Sequence, residues 1–283
     1  MPLRPQRFVL GSAFILAAVH LIYLGPLAWL LLFGADLPAA AQEALRGLAG
    51  RPPWWTLLSG MPAAPVTLAC GLAGILAVSG LGVASGPLVG RLLRRTSAPE
   101  LLFLMLFLAS LSLEVWRAAN LLFHLLPVPA AMAAVATRAV LFGRLFGLSC
   151  LLASSLYAAG LKYSHYPAAA GALALLAFTL AAVQPVDTTT LTPSFLYALG
   201  DSQGYHAIGA ALAVLTVASF LAAALIRRSA RFAAVAGGAA LLLAGRALAG
   251  YGASPAAAAV GVLALAAGTW LFVRQVAMYY LWV

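Results

Sequence analysis

Apolar positions along this chain come in long unbroken blocks, without the alternation of a half-buried strand or the one-sided stripe of a surface helix. A helix needs about 20 mostly apolar residues to cross the hydrocarbon core. Eight windows approach or exceed that length: 8–33, 65–89, 101–125, 132–160, 167–183, 206–226, 232–250 and 256–273. Breakers fall between them, with Pro38, Pro52 and Pro53 after the first, Pro127 and Pro129 after the third, Pro167 after the fourth, Pro185 and Pro193 after the fifth and Pro255 after the seventh. The pattern predicts an all-α, polytopic transmembrane helical bundle of about eight helices (seven to eight). It forms a single integral membrane domain over 1–283 with no soluble domain. Arg4 and Arg7 ahead of the first window resemble a signal peptide, but that apolar stretch is too long for an ordinary one and is expected to be a retained helix.

Charge tests this count. With the N-terminus inside, the inner segments hold ten basic residues: Arg4, Arg7, Arg91, Arg94, Arg95, Lys162, Arg227, Arg228, Arg231 and Arg274. The outer loops hold two, Arg46 and Arg51. Basic residues gather on the cytoplasmic side of membrane proteins. The bias therefore predicts cytoplasmic N- and C-termini, in a cell membrane of the bacterial inner-membrane kind. Each half of the chain repeats the loop order long outer, basic inner, short outer, which hints at a four-plus-four pseudo-repeat of 1–162 and 163–283. Trp54 and Trp55 in the first outer connector, and the run Met278 to Val283, have the composition of interfacial anchors.

Composition narrows the function classes. An apolar share of 64%, 8% charged residues and a mean hydropathy of +1.04 lie outside globular usage. The net charge of +10 is dispersed between apolar blocks, without interleaved aromatics, so the expected partner is the lipid bilayer and not nucleic acid. Cys70 and Cys150 lie in apolar runs with no CxxC and no histidine at ligand spacing, so neither a disulfide framework nor a metal site is indicated. The only lysine, Lys162, sits at a helix end, which argues against a retinal Schiff base.

The candidate chemistry is charge at membrane depth. Ser110, Glu114, Arg117, Asn120 and His124 fall within an arc of roughly 120° at about 100° per residue. Thr137, Arg138, Arg144, Ser149 and Ser155 share an arc of roughly 140° on the next helix. A short Pro-containing turn makes these two helices antiparallel neighbours whose polar faces can meet. Glu114 is read as the sole carboxylate at membrane depth, against Arg117, Arg138, Arg144 and Arg246. Arg138 and Arg246 lie near enough to the outer boundary to snorkel. Charges at such depth pair, face a hydrated cavity, or mark function.

These residues support three readings. The first is binding or transport of a small anionic or amphipathic ligand in an outward-facing Arg-lined cavity between the helices at 101–125, 132–160, 206–226 and 232–250. Its ligand-binding residues would be Glu114, Arg117, Asn120, His124, Arg138, Arg144, His206 and Arg246, the guanidinium fork being suited to carboxylate or phosphate. The inner half looks dry, which weighs against passage through the membrane. The second is a membrane-embedded enzyme on a lipid-linked phosphate, with Arg117, Arg138 and Arg144 clamping phosphate and Glu114 or His124 as acid/base. Such enzymes usually also carry acidic metal ligands, whereas Asp187 and Asp201 stand isolated, Asp201 at a helix start. The third is a sensory subunit coupled to a protein partner of unknown kind. No catalytic residue, metal ligand or cofactor is assigned; haem between His124 and His206 would need two facing histidines and is disfavoured without a supporting motif. The structural alternative to all three is a salt bridge from Glu114 to Arg117 or Arg144 serving only as packing.

Overall fold

The computed structural model describes residues 63–96, 98–125, 128–161, 165–250 and 255–281, with single helical positions at 11, 15, 18, 19, 22 and 25. The window at 8–33 otherwise lies outside the described residues, as do Trp54, Trp55, Arg46, Arg51 and Lys162. Eight α-helices are described: α1 (Ala63–Thr96), α2 (Pro99–Leu111), α3 (Trp116–Leu125), α4 (Ala130–Ala158), α5 (Tyr166–Val183), α6 (Ser202–Ile226), α7 (Ala230–Gly250) and α8 (Pro255–Leu281). A 3-10 turn, Ser112–Val115, joins α2 to α3 as one broken span, so seven helical spans among the described residues are long and apolar enough to cross a membrane. The chain is thus an integral membrane protein built as a helical bundle. α8 runs past the expected end at 273, and Arg274 to Leu281 continue the helix.

The break in the second span has a local cause. Ser110 and Ser112 donate their hydroxyls back to the Phe107 and Ala109 carbonyls at 2.7 Å each. Such bonds compete with the helical ladder and favour a tighter turn. Each 3-10 residue adds about 20° of rotation relative to an α-helix. The polar stripe through Glu114, Arg117, Asn120 and His124 therefore swings round together and stays on one face.

This broken span is the most enclosed, with 83% of its apolar window buried. Leu101 to Leu108 are buried on every side, as expected of a helix apolar all round. α4 packs along it, and α5, α6 and α3 pack on α4; α6 continues to α7, α7 to α8, and α8 to α1, which returns to α2. α7 and α8 form the tightest pair because glycine faces glycine: a Cβ at Gly245 would lie 2.7 Å from the Gly261 carbonyl oxygen and from the Leu265 nitrogen. α5 and α6 turn apolar side chains such as Leu175, Phe178, Val214 and Leu225 outward, as helices facing lipid do.

The connector expected to be an outer loop at 184–205 forms an antiparallel hairpin, β1 (Val186–Leu191) with β2 (Tyr197–Leu199). Asp187 accepts hydrogen bonds from the Thr189 amide and from the Thr189 and Thr190 hydroxyls, which hold its carboxyl below the ordinary range. Asp201 caps α6 by accepting from the Gly204 amide at 2.8 Å. The hairpin marks one end of the bundle. The other end carries Arg91, Arg94, Arg95, Arg227, Arg228 and Arg231, with Arg274 within two turns of it.

Candidate functional site

Near the hairpin end, the two polar faces meet at Glu114. Its carboxylate takes a two-point contact from α4, with Arg144 Nε donating to Oε1 at 2.8 Å and Nη2 to Oε2 at 2.9 Å. Arg117 Nη1 donates to the same Oε2 at 3.3 Å. Close approach of α4 to the broken span makes this possible. Gly143 and Gly147 lie on the contact face, where a Cβ at Gly143 would come 2.9 Å from the Leu113 Cβ, and one at Gly147 would come 3.2 Å from Phe107.

Arg117 has a different role from the one expected. Only 2% exposed, it spends its remaining donors on backbone: Nε to the Ser194 carbonyl at 2.6 Å and Nη2 to the Gly250 carbonyl at 2.9 Å. Ser194 is in the hairpin tip and Gly250 ends α7, so one guanidinium ties three elements together. Asn120 does the same beside it, its amide donating to Thr137 Oγ1 at 3.0 Å and to the Phe195 carbonyl at 3.2 Å. Phe195 itself holds a left-handed backbone, φ 57°, in a turn where its amide donates to the Thr192 carbonyl. The tip is thus pinned from below by Arg117 and Asn120.

A cavity of about 420 Å³ opens beside this cluster between α4, α6 and α7. Arg144 and Arg246 line it together with Tyr205, His206 and Ser194; Leu145, Leu148, Ala213 and Leu243 supply apolar wall. Arg246 donates Nη1 to the Arg144 carbonyl at 3.0 Å and lies 5.9 Å from the centre of the Phe107 ring. Among the described residues no carboxylate lies within ion-pairing distance of Arg246. Three guanidiniums, Arg117, Arg144 and Arg246, therefore surround one carboxylate, a local excess of two positive charges.

The structure brings together Glu114, Arg117, Asn120 and Arg144 in one network and joins Arg246 to it through the Arg144 carbonyl. It separates others. His124 stands edge-on to Tyr197 with ring centres 6.3 Å apart, while His206 lines the cavity next to Tyr205. Arg138 is half-buried, and among the described residues its Nε has no hydrogen-bond partner. The cavity wall comes from α4, α6, α7 and the hairpin tip, whereas the span at 101–125 was expected to contribute to it. Among the described residues no three His, Cys, Asp or Glu side chains converge as a metal site.

Sequence reading missed Ser194, Phe195 and Gly250, which act through their carbonyls, and Tyr205. It also missed a second buried carboxylate. Glu100, at the start of α2, is fully buried and accepts from the Tyr280 hydroxyl at 3.0 and 3.1 Å. Its position after Pro99 reads as an ordinary helix start, where a carboxylate favours the N-terminal dipole. Tyr280 in turn belongs to the aromatic run expected to act as an anchor.

A helical membrane protein with an arginine-rich centre beside a cavity is the class that fold and site define. Comparison of the chain with protein families, with curated proteins and with solved structures finds no match.

Proposed function

We propose that this protein binds a small anionic ligand, a carboxylate or phosphate group, in the cavity between α4, α6 and α7, with Arg246 and the cavity-facing side of Arg144 as its cationic contacts. The observation that carries this is the charge imbalance: among the described residues, one carboxylate meets three guanidiniums, two of which line an open space. Uncompensated charge at membrane depth costs several kcal/mol. A bound anion removes that cost, and Arg presents the planar fork that oxyanions take. Tyr205, His206 and Ser194 supply further polar atoms at the same end of the cavity.

The basic end of the bundle faces the cytoplasm under the positive-inside rule, so the cavity opens toward the outer face. Binding is favoured over passage, because the cavity wall becomes apolar toward the basic end, at Leu148, Ala213 and Leu243.

Native mass spectrometry of the detergent-purified protein tests this, wild type beside Arg246→Met. An anionic adduct on the wild type that is absent from a folded Arg246→Met protein is the expected result. The same adducts at the same occupancy on both proteins, or none on either, would overturn it.

A further inference from the structure

Resting on the anion reading above, we infer that the ligand is an amphiphile: an anionic head held at Arg144 and Arg246, and an apolar tail that fills the deeper part of the same cavity. Along α6 the wall runs from Tyr205 and His206 through Gly209 and Ala210 to Ala213. At 1.5 Å per residue the descent from Tyr205 to Ala213 is about 12 Å. Along α7 it runs from Gly250 and Arg246 to Leu243, about 10 Å by the same rise. Polar groups cluster at the hairpin end of both helices. The remaining wall, Leu145, Leu148 and Ala247, is apolar like Ala213 and Leu243.

The division matters because of what can occupy each part. Water is stable in a cavity only where it finds two to four polar partners. The helix backbone in the lower part is engaged in its own ladder, and the side chains there have no donor or acceptor. A bare oxyanion at the arginines would leave the apolar part of the cavity unfilled and poorly hydrated. A hydrocarbon tail continuous with the anionic head satisfies both parts. Either a membrane lipid or a freely dissolved amphiphile offers this chemistry, and both present the same head to the same two guanidiniums.

The test uses thermal unfolding of the full chain in amphipol, with three probes: dodecyl phosphate, inorganic phosphate and dodecanol. Dodecyl phosphate is expected to raise the melting temperature saturably, with at least tenfold greater apparent affinity than inorganic phosphate and no saturable effect from dodecanol. Arg246→Met should abolish the response. Ala213→Phe, which fills the apolar part, should weaken dodecyl phosphate at least tenfold while leaving the inorganic phosphate response intact. Equal affinity for the two phosphates, or an Ala213→Phe protein that binds dodecyl phosphate normally, overturns the tail and leaves the anion site standing. No Arg246-dependent response to either phosphate overturns both. The source is separated by repeating native mass spectrometry from lipid nanodiscs: a phospholipid adduct lost on Arg246→Met identifies a lipid headgroup, and binding of dodecyl phosphate without it identifies a dissolved amphiphile.

Discussion

Replacing Arg117 by Met separates the structural from the ligand-facing arginines. The side chain is buried and donates three hydrogen bonds, to Glu114, to the Ser194 carbonyl and to the Gly250 carbonyl. Interhelical hydrogen bonds in membrane proteins contribute about 0.6 kcal/mol on average and up to about 1.7. Losing three therefore costs about 2–5 kcal/mol. The larger penalty for stranding a buried charge does not add, because Glu114 keeps its two-point contact with Arg144. With about 2–4 °C per kcal/mol for a chain of this size, the melting temperature in detergent falls by about 10 °C. Arg246→Met loses one hydrogen bond, to the Arg144 carbonyl, and relieves repulsion from a like charge, so its melting temperature moves by about 3 °C or less. Scanning fluorimetry of the two variants beside wild type measures the contrast. An Arg117→Met protein that melts like wild type yet loses the anionic ligand would refute the assignment of Arg117 to holding the hairpin and α7 in place.

Glu114→Gln leaves three guanidiniums without their carboxylate and is expected to destabilise by about 3–5 kcal/mol; adding Arg144→Met should restore part of that loss, which a double-mutant cycle of chemical denaturation would register. Gly245→Val forces a branched side chain against the Gly261 carbonyl and should cost about 1–3 kcal/mol through separation of α7 from α8, read as a lower melting temperature with unchanged helix content by circular dichroism. The hairpin has its own pH dependence: the Asp187 carboxyl is held below its ordinary value of 3.8, so its contribution is fully present above that value and is lost as pH falls through the lower folded one. The protection factor of the Thr189 amide, its exchange rate taken relative to the intrinsic rate at the same pH, should fall toward one as the Asp187 carboxyl is protonated in strong acid, and in an Asp187→Asn protein it should not change with pH.

Membrane insertion and the seven spans among the described residues were legible without coordinates, because a twenty-residue apolar block has few other physical destinations than lipid. The polar stripe of Glu114, Arg117, Asn120 and His124 was legible too, since helical periodicity assigns residues to a face before any neighbour is known. The 3-10 turn at Ser112–Val115 rotates that stripe as a unit and leaves it intact. Which arginine does what was decided by tertiary structure alone. In sequence Arg117 and Arg246 are each one cation in an apolar helix, told apart only by depth, which made Arg246 a candidate to snorkel. Only the approach of the hairpin tip and the end of α7 surrounds Arg117 with backbone carbonyls, while Arg246 is left at the cavity wall. Backbone acceptors at Ser194, Phe195 and Gly250 carry no side-chain signature, so no pattern of residue types could announce them. Glu100 was hidden for the opposite reason: its residue type fits a solvated helix start, and its hydrogen-bond partner Tyr280 comes from the far end of the chain, 180 residues away. Periodicity within one helix is a local property of sequence, whereas the partner of a buried charge is set by which distant segments pack against it.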